Sequence, residues 1–420
     1  MKVGIIGSGG REHALCIALK KSSKVSKIYC IPGNGGTSSI AENISIEPKD
    51  FEKIKNFTLK NKIDLIIVGP EDPLVNGIVD YLEDHNIKVF GPNKFASQLE
   101  GSKIFTKKLC KKYNIPTADF GVFESSINAQ PFLNNCKYPI VIKADGLAAG
   151  KGVYICENKD DSKIAIDEIF NGKFGKAENV LIEEFLRGEE MSFFIISDGK
   201  TYKMFGTAQD HKRVLEGDKG KNTGGMGAYS PSRLDTPELN KKILEKIINP
   251  TLKGLNELNS SYKGFLYAGL MIINNEPYLI EYNVRMGDPE CQTILPKLKT
   301  DLIDITNACV NKNLHSIKIE WYDYKSLSIV LCSKGYPDRY KKNLQIYNLD
   351  KINLENDEFI FHAGTKKIEK KIFSNGGRVL NFVVTSNDFR KSRDRAIKLI
   401  NTVNWHEGFF RKDIGFKVIK

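Results

Sequence analysis

The sequence predicts a multidomain chain of α/β and α+β type, with an N-terminal Rossmann-like parallel sheet, a mixed central region and a small C-terminal mixed α/β domain. Three observations carry this expectation. Short apolar runs alternate with helical segments over residues 1–102, and each run ends in a glycine-rich turn. The step Ile115-Pro116 then closes a helix and starts a different, strand-rich pattern. Finally, 420 residues suffice for several domains, each with its own core.

Taken in order, Val3–Ile6 reads as a buried strand, followed by Gly7-Ser8-Gly9-Gly10-Arg11-Glu12-His13 and a helix from Ala14 to about Lys21. Strands at Lys27–Ile31, Ile63–Val68 and Val89–Phe90 end on Pro32-Gly33-Asn34-Gly35-Gly36-Thr37, Gly69-Pro70-Glu71 and Gly91-Pro92. Ligands of parallel sheets sit beyond the carboxyl ends of the strands, so these turns define one binding edge. The first turn is not a dinucleotide fingerprint, because its third glycine would fall at Glu12 and the second strand offers no acid for a ribose. Apolar spacing predicts a helix over 103–113 capped by Ser102. A small mixed lobe follows, with a helix over 162–170 and strands at 191–196 and 202–206. The polar, glycine-rich passage 208–231 reads as a mobile lid or a surface insertion. A helix over 239–258 and two strands around Asn274-Asn275 complete the central region, and strands at 327–332 and 378–385 with a helix near 395–400 form the tail.

Composition narrows the function classes. A hydrophobic content of 41% with 27% charged residues is that of a folded, water-soluble chain. No apolar run reaches the roughly 18 residues that span a bilayer, and the start leaves no room for a signal peptide, so a cytoplasmic enzyme without membrane contact is expected. The charge of +12 is scattered rather than gathered into a basic, aromatic-interleaved tract, which argues against nucleic acid and for small anionic substrates. The eight cysteines include no Cys-x-x-Cys pair and read as reduced core residues.

Two stretches carry chemistry. Ile140-Val-Ile-Lys143 leads into a glycine-rich loop with Lys151 between Gly150 and Gly152, a pattern that crowds backbone N–H groups and lysine charge around phosphate. Its glycine spacing is not that of a P-loop, and a plain surface turn remains open on this stretch alone. In Glu281-Tyr282-Asn283-Val284-Arg285, strand periodicity puts Glu281 and Asn283 on one face, suited to Mg²⁺, with Arg285 pointing the same way. A solvated edge-strand face is the alternative.

Together with Val-Gly-Pro-Glu at 68–71, Gln-Asp-His-Lys-Arg at 209–213, Asn-Thr-Gly-Gly-Met-Gly-Ala-Tyr-Ser-Pro at 222–231 and Gly-Asp-Pro-Glu at 287–290, these blocks make the chain resemble the phosphoribosylamine–glycine ligases, or glycinamide ribonucleotide synthetases. They are a family of the ATP-grasp superfamily, and the resemblance spans essentially all 420 residues. It implies an N-terminal substrate domain over 1–102, an ATP-grasp domain over 103–325 with its small lobe at about 120–190, and a C-terminal domain over 326–420. It also implies a monomer that uses ATP, Mg²⁺ or Mn²⁺, glycine and 5-phosphoribosylamine, with a glycyl phosphate formed on the way to glycinamide ribonucleotide.

By matching positions, the resemblance implies that Lys103, Lys143, Gly150, Lys151 and Gly152 surround the ATP phosphates. Glu183, Glu184 and Leu186 would form the adenine hinge, and Glu190 would meet the ribose. Glu281 and Asn283 would hold the metal, with Arg285 and Lys143 as catalytic cations. Gly10, Arg11, Glu12, Asn34, Gly36, Thr37, Pro70 and Glu71, with Asp210, Lys212, Gly287, Asp288, Pro289 and Glu290, would enclose phosphoribosylamine and glycine. Tyr282, Val284 and Met286 depart from the family's usual residues and should alternate into the core. A neighbouring ligase or carboxylase of the superfamily would lack several of these blocks, a nucleotide sensor would show a damaged metal pair, and a dehydrogenase would need the missing fingerprint.

Overall fold

The computed structural model describes residues 1–147, 152–175 and 177–419. Strands β1 (Lys2–Gly7), β2 (Lys27–Pro32), β3 (Glu42–Asn43), β4 (Leu65–Val68) and β5 (Val89–Phe90) make one parallel sheet of order β3-β2-β1-β4-β5. Val3, Ile5 and Ile6 are fully buried because both faces are covered, which is why these strands are continuous apolar runs. Helices α1 (Gly10–Lys20), α2 (Phe51–Asn61), α3 (Glu71–Val75), α4 (Ile78–Glu83) and α5 (Gln98–Gly101) connect or follow them. The first helix starts earlier than its apolar pattern suggests: the Glu12 carboxylate accepts the Gly9 N–H at 2.5 Å, so the glycine turn becomes its first turn.

Helix α6 (Lys103–Tyr113) has the expected cap, Ser102 Oγ accepting from the Phe105 N–H, and ends with Asn114 in the left-handed region. The small lobe is an antiparallel sheet of order β6-β9-β7-β8, formed by β6 (Phe120–Phe123), β7 (Ile140–Ala144), β8 (Val153–Cys156) and β9 (Val180–Glu184). Helices α7 (Ser126–Asn135) and α8 (Lys159–Phe170) cover it through Leu133, Ile166 and Ile169.

The main sheet runs β16-β15-β10-β11-β14-β17-β22-β19, with β23 (Gly408–Phe409) also on β17. Its central part is β10 (Glu189–Asp198), β11 (Tyr202–Asp210), β14 (Gly227–Ser230), β15 (Lys263–Ile273) and β16 (Glu276–Asn283). Strands β17 (Lys325–Ser333), β19 (Glu358–His362) and β22 (Arg378–Ser386) continue it, because Gly227–Ser230 pairs with Ser326–Ile329. The tail therefore shares its sheet with the central region. Helix α13 (Phe389–Thr402) covers it, and Phe361 and Val383 join a core with Leu15, Phe205 and Ile294 that binds the first sheet to the rest. Among the described residues no helix is long and apolar enough to cross a membrane, and all eight cysteines are free.

Two elements differ from the sequence expectation. The passage 208–231 is not a structureless lid: it contains the hairpin β12 (Arg213–Leu215) and β13 (Lys219–Asn222), followed by the fully buried strand β14. Arg411, 1% exposed, anchors the hairpin by donating to Asp218, Asp413 and the Arg213 carbonyl, and the Gly415 N–H donates to His211 Nε2. The long helix is split into α9 (Pro237–Ile243), a π-helical turn at Leu244–Ile248 and α10 (Asn249–Glu257). Pro250 has no N–H for the Lys246 carbonyl and its ring crowds it, so the ladder widens there.

Replacing Arg411 by Met strips Asp218 and Asp413 of a buried cation and should cost about 2–4 kcal/mol. Denaturant unfolding measures the loss, and trypsin should cut the exposed Lys219 and Lys221 faster; unchanged stability and cleavage would remove Arg411 as the anchor.

Candidate active site

The hairpin β15–β16 sets the first group of residues. Gly269 pairs with Glu281 and Tyr267 with Asn283, so both predicted metal ligands share one face, while Tyr282, Val284 and Met286 turn into the core. A cavity bordered by Glu190, Ser192, Asp210, Lys212, Tyr267 and Glu281 opens onto that face. Lys212 Nζ lies 2.8 Å from Glu190, whose carboxyl it holds below the ordinary range against the effect of burial. Burial pushes the Lys103 ammonium down against the pull of Glu281, which places these two groups within range of each other. Among the described residues no three His, Cys, Asp or Glu side chains gather to cage an ion. One carboxylate and one amide oxygen on a common face fit Mg²⁺, which keeps open positions for phosphates rather than seeking an all-protein cage.

The lysines predicted to meet phosphate come from two lobes. Lys103 Nζ, at the start of α6, donates to the carbonyls of Ala144 at 3.0 Å and Gly146 at 2.7 Å. Asp145 accepts from Ser102 Oγ and the Ile104 N–H, so the entrance to the glycine loop is stapled to α6. Gly152 returns the loop to β8, its carbonyl accepting from the Ala144 N–H, whereas Gly150 and Lys151 lie outside the described residues. Lys143 Nζ meets Glu183 Oε2 at 2.8 Å, and Lys107 Nζ stands 3.3 Å from Glu183 Oε1. Glu183 is thus a buried counter-ion, 3% exposed, and its side chain is not presented to a base. Glu184 is exposed and Leu186 half-buried, so the hinge positions after it remain accessible. Lys107 was absent from the sequence reading, although its position one turn after Lys103 was a usable signal.

The N-terminal turns are arranged around charges rather than left empty. A Cβ on Gly7, Gly9 or Gly69 would come within 2.6, 2.8 and 2.0 Å of the Glu12 side chain. These glycines admit a protein carboxylate where a dinucleotide fingerprint admits pyrophosphate. Glu12 Oε1 also accepts from Arg11 Nε at 2.6 Å, so Glu12 faces inward, contrary to the expectation that it encloses substrate. Asn34 is likewise spent inside: its amide donates to the Ser8, Gly9 and His362 carbonyls and its oxygen accepts from the Gly36 and Thr37 N–H groups. Thr37 Oγ1 accepts from the Asn34 N–H at 2.7 Å. Buried Gly36 leaves room for His13, whose Nδ1 accepts from the His362 N–H; burial, with His362 adding to it, lowers His13 to about 3, so its ring is neutral.

Arg285 closes the edge of the cleft. Its guanidinium donates to Glu71 at 3.1 Å and Glu100 at 2.7 Å, and these carboxylates keep it charged despite burial. Arg285 brings Glu71 down to about 2, while burial carries Glu100 up to about 7. Pro70, half-buried, forms the N-terminal boundary of α3 before Glu71. On the other side, Asp288 accepts from the Arg11 N–H and from Gln292 at 2.7 Å, and Arg378 of β22 donates to the Asp288 and Gly224 carbonyls. Arg378 falls at the start of a strand expected from the sequence, and nothing local marks it as a site residue. Gly287 makes room for Glu290, which accepts from Ser192 Oγ at 3.2 Å, and Pro289 packs near Gly225. Asp210 Oδ1 is buried with no hydrogen-bond partner, and burial together with Glu290 pushes its carboxyl well above the ordinary range.

Comparison with known proteins gives a consistent picture. Residues 1–100, 101–291 and 326–417 match the N, ATP-grasp (A) and C domains of phosphoribosylglycinamide synthetase. The phosphoribosylamine–glycine ligase of Mesorhizobium japonicum is 46% identical over 420 residues, covering 100% of this chain and 99% of that protein. That of Brucella melitensis is 45% identical over 421 residues with the same coverage. The crystal structure of phosphoribosylamine–glycine ligase from Thermotoga maritima superposes with a TM-score of 0.86 at 33% identity, covering 99% of this chain and 100% of that one. A biotin carboxylase domain from Hydrogenobacter thermophilus, solved with MgADP, shares the fold at a TM-score of 0.73 and 17% identity, covering 97% of this chain and 91% of that one.

Because the folded Glu71 carboxyl sits at about 2 against an ordinary 4.5, its ion pair stabilises fully above pH 4.5, and that contribution is lost as pH falls towards 2. The stability difference between the protein and its Glu71→Gln variant should therefore be largest at pH 6–7 and shrink steadily below about pH 4.5 in urea titrations. A difference independent of pH would contradict the ion pair.

Proposed function

The chain belongs to the phosphoribosylglycinamide synthetase family, and from that premise we propose how its residues divide the work of an ATP-dependent ligase that joins glycine to 5-phosphoribosylamine in purine biosynthesis. The reaction is one of alignment and charge. A carboxylate is a poor acceptor for an amine until one of its oxygens becomes a phosphate leaving group, so the glycine carboxylate first takes the γ-phosphoryl of ATP. The amine of phosphoribosylamine then displaces phosphate from the glycyl phosphate. No protein nucleophile is needed.

Glu281 and Asn283 would hold Mg²⁺, or Mn²⁺, which supplies positive charge on the phosphate oxygens. Lys103 and Lys143 would reach the phosphates from the two lobes, and the family resemblance assigns Gly150, Lys151 and Gly152 to the same phosphates. The backbone from Glu184 to Leu186 would read the base, and Glu190 would accept from the ribose while tethering Lys212. Arg285, held in orientation by Glu71 and Glu100, neutralises the transferring phosphoryl group. The observation that carries the assignment is the unpartnered, buried Asp210 oxygen facing Glu290 beside the metal-bearing strand. A cation between these two carboxylates satisfies both, and the glycine ammonium is such a cation. Asp288, Arg11, Pro70 and the neutral His13 then border the phosphoribosylamine side. A monomer is the proposed working unit.

The direct test is phosphate release from ATP with glycine and freshly generated phosphoribosylamine, each omitted in turn, and the product identified by mass. Release independent of either substrate would defeat the reading. Glu281→Gln and Asn283→Ala should each lower turnover about 100-fold at limiting Mg²⁺ with an unchanged unfolding midpoint. Asp210→Asn should raise the KM for glycine about tenfold or more while leaving that for ATP nearly constant. An effect confined to ATP would move Asp210 away from glycine.

A further inference from the structure

Helix α6 carries a second lysine that the reaction scheme leaves unused. Lys107 is 2% exposed, one turn beyond Lys103, and its Nζ donates to Thr117 Oγ1 at 2.5 Å. Thr117 in turn donates to the Leu279 carbonyl at 2.6 Å, two residues before Glu281 on the metal-bearing strand. Lys107 Nζ also stands 3.3 Å from Glu183 Oε1, an approach held by charge without a directed hydrogen bond, and lies over the Phe120 ring. Glu183 Oε2 is taken by Lys143 at 2.8 Å. One buried carboxylate is therefore shared by two lysines, one from each side of the nucleotide cleft.

We propose that Lys107 is a positioning residue, the standing counter-ion of Glu183, which lets Lys143 leave that carboxylate for a nucleotide phosphate. The inference rests on Lys143 being a phosphate ligand. If Lys143 were the only cation on Glu183, its departure would strand an ionised carboxylate out of water, and the phosphate would have to compete with that cost. With Lys107 fixed beside it by Thr117, Glu183 keeps a cation in both states. The electrostatics agree: burial pushes Lys107 down against the pull of Glu183, whereas Glu183 stays below its ordinary range in spite of burial because Lys143 and Lys107 both face it. The path from Thr117 to Leu279 also fixes this counter-ion relative to Glu281, so both lobes' phosphate contacts refer to one strand.

The affinity for MgADP, measured by titration calorimetry on the full chain, tests this with Lys107→Met, Glu183→Gln, the double variant and Lys143→Met. Lys107→Met should weaken binding about tenfold, since the freed carboxylate retains Lys143. The double variant should bind within about twofold of Glu183→Gln alone, because removing the carboxylate removes the need for its counter-ion. A Lys107 that merely supports the fold would lower the unfolding midpoint and affect binding equally in both backgrounds, which overturns the proposal. So does Lys107→Met binding as tightly as the parent while Lys143→Met binds weakly. Unchanged binding in Lys143→Met would overturn the phosphate role of Lys143 and this proposal with it.

Discussion

Where the three units meet, Arg285 is buried between Glu71 and Glu100, Arg11 lies against Glu12, and Asp288 is held by Gln292, Arg378 and an amide of α1. Charges taken from water must be matched within the protein, and here the partners come from segments far apart in the chain. The relative placement of the first sheet, the ATP-grasp region and the tail follows from that matching as much as from the apolar core beneath it. Loss of one partner leaves the other buried and unpaired, so the network cannot loosen at a single point without a large penalty.

The main sheet transmits this order to the cleft. Because β14 pairs with both β11 and β17, Asp210 at the end of β11 and Arg378 on β22 are fixed in one hydrogen-bonded frame with Glu281 and Asn283 on β16. Period-two alternation then sorts the residues: Gln209 and His211 point to internal partners, while Asp210 and Lys212 border the cavity. The block Gln209–Lys212 thus divides into brace and contact. The same division holds in the first two glycine turns, where Glu12 and Asn34 serve the protein's own backbone.

Nucleotide chemistry on this frame requires cations that can be redirected. Lys103 donates to the Ala144 and Gly146 carbonyls and Lys143 to Glu183, so the lysines proposed to bind phosphate are engaged with groups that phosphate oxygens can replace. Such interim partners keep lysines ordered without committing them. Glu281, Lys212 and the unsatisfied Asp210 oxygen border one cavity, which suits a reaction whose barrier is lowered by alignment and by charge already in position.

The sequence by itself determined the local elements and the chemistry of the motifs. Strand ends with glycine turns, the Ser102 cap, the Asn274-Asn275 hairpin and the shared face of Glu281 and Asn283 follow from short-range periodicity and turn preference, which depend on neighbours a few residues away. The family blocks added the reaction. Tertiary structure alone decided that Glu183 is shared by Lys107 and Lys143, that Arg378 reaches Asp288, that Glu12 is enclosed by Gly7, Gly9 and Gly69, and that 208–231 is a braced hairpin and buried strand. The pairings Lys143–Glu183, Arg378–Asp288 and Arg411–Asp218 join residues 40, 90 and 193 positions apart, and such contacts leave no periodic trace in the chain.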